Sequence, residues 1–213
     1  AYVFGENHYS SDTITKNTIN IYEAWFRYSF TKHLGLKIGR TELIYDDGRV
    51  LGNSNWNAKG ATHDVMIFQW QDGKELYRGD LGLAINNVAP AGPYLESYPL
   101  KNYKYMGYLY EQRKLFNKSI TISFLGVVDV HQKSKSTNPE LLYGRYTLGG
   151  TVGYAKSKLK LFAAGYYQGG KFKDGRSLTA GFAGGYASYQ VLKPLSITVG
   201  YEFASGKDRK SVV

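Results

Sequence analysis

The 213 residues carry 27 Lys and Arg against 17 Asp and Glu, a net charge of +10, with 25 Gly, 20 Tyr, 5 Pro and no Cys. A hydrophobic share of 43% with 15% aromatics excludes a disordered chain, and the missing Cys excludes a disulfide framework, thiol chemistry and Cys-ligated zinc or iron–sulfur centres. No stretch reaches the roughly 18 uninterrupted apolar residues of a membrane helix, so the β-barrel, whose strands need only about 10 residues of alternating character, is the one membrane class that fits.

Period-two alternation runs through nearly the whole chain and helical spacing fits none of it. Near the start, Tyr22, Ala24, Phe26, Tyr28 and Phe30 form an apolar row opposite Glu23, Trp25, Arg27 and Ser29. Ten strands are predicted, at 19–31, 33–45, 62–71, 75–86, 102–115, 119–132, 143–156, 158–170, 177–191 and 194–205. The second keeps Leu34, Leu36 and Ile38 on one parity and then blurs after Gly39, where a bulge is expected. In the sixth, Ile120, Ile122, Phe124, Val128 and Val130 oppose Thr121, Ser123, Asp129 and His131. In the tenth, Leu195, Ile197, Val199, Tyr201 and Phe203 oppose Ser196, Thr198, Gly200 and Glu202. Glycines inside strands, among them Gly149, Gly150, Gly153, Gly181, Gly184 and Gly185, suit a curved wall whose aromatic neighbours cover the gaps.

The joints alternate between tight and long. Thr31-Lys32-His33, Asp72-Gly73-Lys74, Asn117-Lys118, Ser157 and Lys193-Pro194 are tight; Asp46 to Ala61, Asn87 to Lys101, Lys133 to Leu142 and a shorter Gly169 to Arg176 are long. Outer-membrane barrels combine short periplasmic turns with longer external loops, a rule that a soluble sandwich has no reason to follow. The expectation is an all-β fold, an antiparallel transmembrane barrel of about ten strands, with residues 1–213 one partial barrel domain. If the tight turns are periplasmic, residues 1–18 and the tail from Gly206 to Lys210 belong to external loops, and at least one strand is missing at each end.

Catalytic patterns are weak. His8, His33, His63 and His131 fall in separate elements at no metal-ligand spacing, Gly52-Asn53-Ser54-Asn55-Trp56 lacks the closing Gly of a nucleophile elbow, and Gly149-Gly150-Thr151-Val152-Gly153 lies within a strand with no helix to receive phosphate. Asp46 and Asp47 cap a turn before Gly48 and pair with Arg49 more readily than they bind calcium. No enzyme, metal or cofactor is expected. The Lys and Arg residues scatter rather than cluster with aromatics, which argues against nucleic acid. Those on strands, Arg27, Lys37, Arg78, Arg145 and Lys160, share the polar parity with Glu23, Asp80, Asp129 and Glu202, so a barrel would hold them in its wet lumen. They read as a positively biased pore or as a salt-bridge lattice that stiffens the wall, and one lumen accommodates both.

The segment Gly39–Gly52, GRTELIYDDGRVLG, followed by Asn55-Trp56 and Thr62-His63-Asp64-Val65, resembles the hallmark segment of the alginate-export family of outer-membrane barrels. EAWFRYSFTKHLGLKIG before it, GYYQGG at 165–170 and GYEFASGKD at 200–208 are similar to that family's strands. The resemblance implies a porin-like barrel of about eighteen strands in the Gram-negative outer membrane, surrounded by lipid, whose lumenal arginines attract an anionic solute or polysaccharide. It places Arg40 and Arg49 with the acidic partners Glu42, Asp46 and Asp47 as residues that line or brace the pore. The alternative is a structural or non-conducting barrel that serves a larger envelope complex, its protein partners open.

Overall fold

The computed structural model describes residues 22–52, 61–85, 103–132 and 142–205. They form ten strands: β1 (Ala24–Ser29), β2 (Leu34–Thr41), β3 (His63–Gln71), β4 (Tyr77–Ile85), β5 (Tyr105–Leu115), β6 (Ile120–Gln132), β7 (Leu142–Lys156), β8 (Leu159–Lys171), β9 (Ser177–Leu192) and β10 (Leu195–Ser205). Each pairs antiparallel with the next in one sheet of order β1 to β10, and β1 and β10 do not pair with each other. All ten predicted strands are present, and the fold is all-β, consistent with a partial barrel whose sheet is not closed.

Three local expectations change. The second strand stops at Thr41 rather than residue 45, because the chain leaves the ladder there to cross the sheet. No bulge follows Gly39: the register runs unbroken through Trp25, Gly39 and Val65. What blurs the pattern is backbone geometry, since Gly39 has φ of 131° and a Cβ there would lie 2.3 Å from the Ala24 carbonyl oxygen. The joint after β8 is also tighter than expected, because β8 runs to Lys171 and residues 172–176 close a turn with Phe172 N–H donating to the Arg176 carbonyl. The loops at 53–60, 86–102 and 133–141, the first 21 residues and the tail from Gly206 lie outside the described residues.

Turn chemistry explains three of the tight joints. The Thr31 hydroxyl accepts from the backbone N–H groups of His33 and Leu34, and Asp72 Oδ1 accepts from those of Leu76 and Tyr77, both local mimics of a backbone turn. Ser157, at φ 55°, supplies the left-handed residue of a two-residue hairpin loop.

The register sorts the side chains into two faces. One carries Phe26, Ile38, Met66, Leu81, Phe124, Leu148, Leu161, Ala183 and Val199, and its large apolar members are solvent-exposed across the whole width of the sheet. An apolar surface of that extent far exceeds the few hundred Å² that water-soluble proteins expose and matches a lipid-facing wall. The other face carries most of the strand-borne charges, and it is rolled around a common interior. One cavity of about 230 Å³ touches His63 on β3, Met106 on β5, Thr147 on β7, Tyr166 on β8 and Phe182 on β9, whereas a flat sheet would set β3 and β9 about 29 Å apart at ~4.8 Å per strand.

Candidate functional site

Residues 42–51 leave β2 and fold onto the inner face as a strap, which corrects the expectation that the joint from Asp46 runs wholly outside. Three apolar side chains draw it in: Leu43, Tyr45 and Leu51 are buried in one cluster with Val65, Ile67, Ala84, Met106, Leu125 and Val127 of the wall. A tight turn shapes its middle, with Gly48 N–H donating to the Tyr45 carbonyl and Tyr45 N–H to that of Leu51.

Where the strap meets β4 and β5, hydrogen bonds lock it. Tyr45 Oη donates to Asp80 Oδ2 at 3.0 Å and lies 2.9 Å from Tyr108 Oη. Asp80, 0% exposed, also accepts from Gln69 Nε2 at 3.2 Å and Arg78 Nη2 at 2.6 Å. Tyr110 Oη donates to Asp46 Oδ1 at 3.0 Å and accepts from Gln112 Nε2. Room for the Tyr108 ring comes from Gly82, where a Cβ would approach that ring to 2.1 Å. Asp46 Oδ2 is buried with no hydrogen-bond partner. Burial pushes its carboxyl above the usual range, against the opposing pull of Ser123, Tyr110 and Thr151.

The strap's other end reaches β9 and β10. Arg49 bonds Asp47 at 3.3 Å, pairs with Glu202 of β10 and stacks its guanidinium 4.0 Å over the Phe182 ring. Arg49, Val50 and Leu51 thus roof the cavity, whose wall holds Arg145, Gln168 and Thr147 beside the rings of Tyr103, Tyr166 and Phe182. His63 lies in the same wall, buried, its Nδ1 2.7 Å from Tyr103 Oη.

The strand-borne candidates Arg27, Lys37, Arg78, Asp80, Asp129, Arg145, Lys160 and Glu202 all fall on the inner face by register. Glu23 joins them, accepting from Thr41 Oγ1 at 2.7 Å and from Glu42 N–H. Asp129 is gripped by Arg145 at 2.8 Å and by His131. Lys37 donates to Thr41 Oγ1 at 2.6 Å and stands over the Trp25 ring. The nine groups are five cations and four carboxylates, so the face is a near-neutral mosaic rather than a ring of one sign. Among the described residues, Arg27, Lys37 and Lys160 have no carboxylate at ion-pair distance.

Of the two arginines expected to line or brace the pore, Arg40 stands on the outer side. It shares the outward row with Leu36 and Ile38 and forms a two-pronged bridge to Asp64 at 2.7 and 2.8 Å, so it braces the outer rim of the wall instead of lining the interior. Glu42 is engaged by Tyr22 at the same rim. The tyrosines that hold the strap were not among the expected site residues, although the sequence carries a signal for them. Val65-Met66-Ile67-Phe68 and Phe124-Leu125 are apolar on both parities, which in a barrel means that something dry covers the inner face.

Compared with known families, residues 4–211 match the family model described as alginate export. No curated protein and no solved structure matches the chain.

Proposed function

The chain belongs to the alginate-export family, a transport family of outer-membrane β-barrels, and on that premise we propose that it forms wall and strap of a channel through which an anionic solute passes passively. The supporting observation is the segregation of charge: apart from Arg40 at the rim, the strand-borne ionic candidates lie on the rolled inner face, against an exterior whose central rows are mostly apolar. An arginine on the lipid side at mid-membrane would cost about 2–4 kcal/mol, whereas the same group in a wet lumen costs little. Arg27, Lys37 and Lys160, together with Arg49 and Arg145 at the cavity, are the groups that would meet an anion. For a polysaccharide, the Tyr166 and Phe182 rings beside Arg145 and Gln168 offer apolar faces and donors side by side.

The strap favours a second reading, a barrel whose lumen is shut and whose role is structural, because it fills the inner face from β3 to β6. The full-length gene product in a planar bilayer separates the two. A channel conducts and prefers anions near 0.1 M salt, where the Debye length is about 10 Å, and the preference fades near 1 M, where it is about 3 Å. Absence of conductance removes the channel reading.

A further inference from the structure

The five connections on one rim, 30–33, 72–76, 116–119, 157–158 and 193–194, carry one exposed lysine each: Lys32, Lys74, Lys118, Lys158 and Lys193. Because the strands follow one another in sequence order, these connections stand side by side along a single rim, about 10 Å apart at two strand spacings. Only the second holds carboxylates. Asp72 is spent on backbone N–H groups, and Glu75 lies 3.6 Å from Lys118. Lys32, Lys74, Lys158 and Lys193 have no carboxylate at ion-pair distance among the described residues.

The same connections and their flanks expose large apolar side chains. Phe116, at the tip of the β5–β6 turn, is 76% exposed, and Phe30, Leu192 and Leu195 are about half exposed. One step into the sheet, Tyr28, Trp70, Tyr154 and Tyr189 stand in the outward row near their turns, an arrangement like the aromatic belt that marks a membrane–water interface. A soluble polyanion would account for the lysines alone. It gives no reason for phenylalanine and leucine on the same tips, where water would be their only neighbour. Lysines interleaved with apolar anchors just beyond an aromatic belt sit at the depth of phosphates and glycerol backbones.

We propose that the tight-turn rim is a collar for anionic phospholipid headgroups, in which Lys32, Lys74, Lys118, Lys158 and Lys193 contact lipid phosphates while Phe30, Phe116, Leu192 and Leu195 anchor beneath them. This rests on the barrel reading but not on conduction. The collar holds the barrel at a fixed depth in the leaflet that faces its short turns.

The test is lipid selectivity of the full-length protein in vesicles of phosphatidylcholine with phosphatidylglycerol, read from spin-labelled lipids in contact with the protein. Phosphatidylglycerol is expected to be preferred roughly fivefold, the equivalent of ~1 kcal/mol for a lysine at an anionic surface, with the preference falling toward unity near 1 M salt. Replacing the five lysines by Gln should abolish the preference, and replacing them by Arg should keep it, which separates lost charge from lost fold. Inorganic phosphate should compete no better than chloride of equal ionic strength; full competition would assign the collar to free phosphate and overturn the lipid proposal. Equal selectivity in wild type and Gln variant would also overturn it, as would loss of uronate-oligomer binding in the Gln variant with unchanged lipid preference. Conductance recorded in the same vesicles tests the channel separately: a collar without selectivity in a conducting barrel defeats this proposal alone.

Discussion

The two ends of the strap use similar chemistry in unlike surroundings. Near β4 and β5, Tyr45 and Asp46 meet Asp80, Tyr108 and Tyr110 in a site where Asp80 is 0% exposed. Near β10, Arg49 meets Glu202, whose side chain is 59% exposed. Both contacts are charge-assisted, and both bridge the strap to the wall. Burial sets them apart. Removing one member of a desolvated network strands its partners without water, whereas an exposed ion pair is replaced by hydration at little loss. The strap is therefore clamped at one end and only tethered at the other.

The largest effect expected from this contrast is at Asp80. Asp80→Ala removes the acceptor of Tyr45, Gln69 and Arg78 at once. Breaking a fully buried pair costs about 3–5 kcal/mol, and the half-exposed Arg78 side chain recovers part of that through water, so about 2–3 kcal/mol is expected. Urea unfolding of the reconstituted protein would register it as a lower midpoint at unchanged slope. A midpoint no lower than that of Arg49→Ala would break the comparison. Tyr45→Phe is a smaller cut, since it deletes one hydroxyl and leaves the ring packed among Tyr108 and Tyr110. It should cost about 1–2 kcal/mol in the same assay, the penalty of a buried acceptor left one donor short.

Asp46 gives the clamp a pH dependence of defined sign. Burial raises its carboxyl in the folded protein, so the ionised form is the disfavoured one. Its contribution to docking is complete below the ordinary carboxylate value of about 3.9 and is lost as pH rises through the raised folded value. Asp72 and Asp174 act oppositely. Backbone N–H groups of Tyr77 and Leu76 hold Asp72 low, and Arg176 holds Asp174 low, so their contributions are present near neutral pH and vanish in acid. Whole-protein stability mixes both signs. Asp46→Asn isolates the clamp: the difference between variant and wild type should favour the variant near pH 7 and shrink toward pH 4, measured as protease protection of the strap at Arg49. A difference independent of pH would mean that the strap does not bury the carboxylate.

The wall was legible because each strand needs only local alternation to declare itself. Phe124 outward and Thr121 inward, Val199 outward and Thr198 inward, follow from parity alone, and the tight turns follow from Thr31, Asp72 and Ser157. The strap was not, for a reason that the same residues reveal. Leu43 and Tyr45 have the opposite parity to Leu34, Leu36 and Ile38, a switch that reads on sequence as a bulge within a strand running to residue 45. What ends the ladder is a tertiary competitor, the apolar patch of Val65, Ile67, Leu125 and Val127, contributed by strands distant in sequence. The resemblance left open whether Arg40 lines or braces the pore, and its alternation with Ile38 is what puts it outward. Asp80 and Arg78 were found as charges on the right face, but their role as an anchor depends on Tyr45, which no period-two pattern assigns.

The smallest stability effect belongs to the tether, and there it becomes informative about passage. Glu202→Gln leaves Arg49 bonded to Asp47 and stacked on Phe182, so an exposed pair of this kind should cost about 0–1 kcal/mol. It also removes one negative charge from the inner face and releases Arg49 from its ion-pair partner on β10. In the proposed channel, both changes favour anions, so reversal potentials should show a higher anion preference for Glu202→Gln than for wild type at about 0.1 M salt, and Arg49→Ala should lower it. Opposite shifts from two variants of near-equal stability cannot come from loosened packing, because loosening would move both the same way. Unchanged selectivity in both, with conductance intact, would place the path away from the tether and make Arg49 a brace of the strap alone.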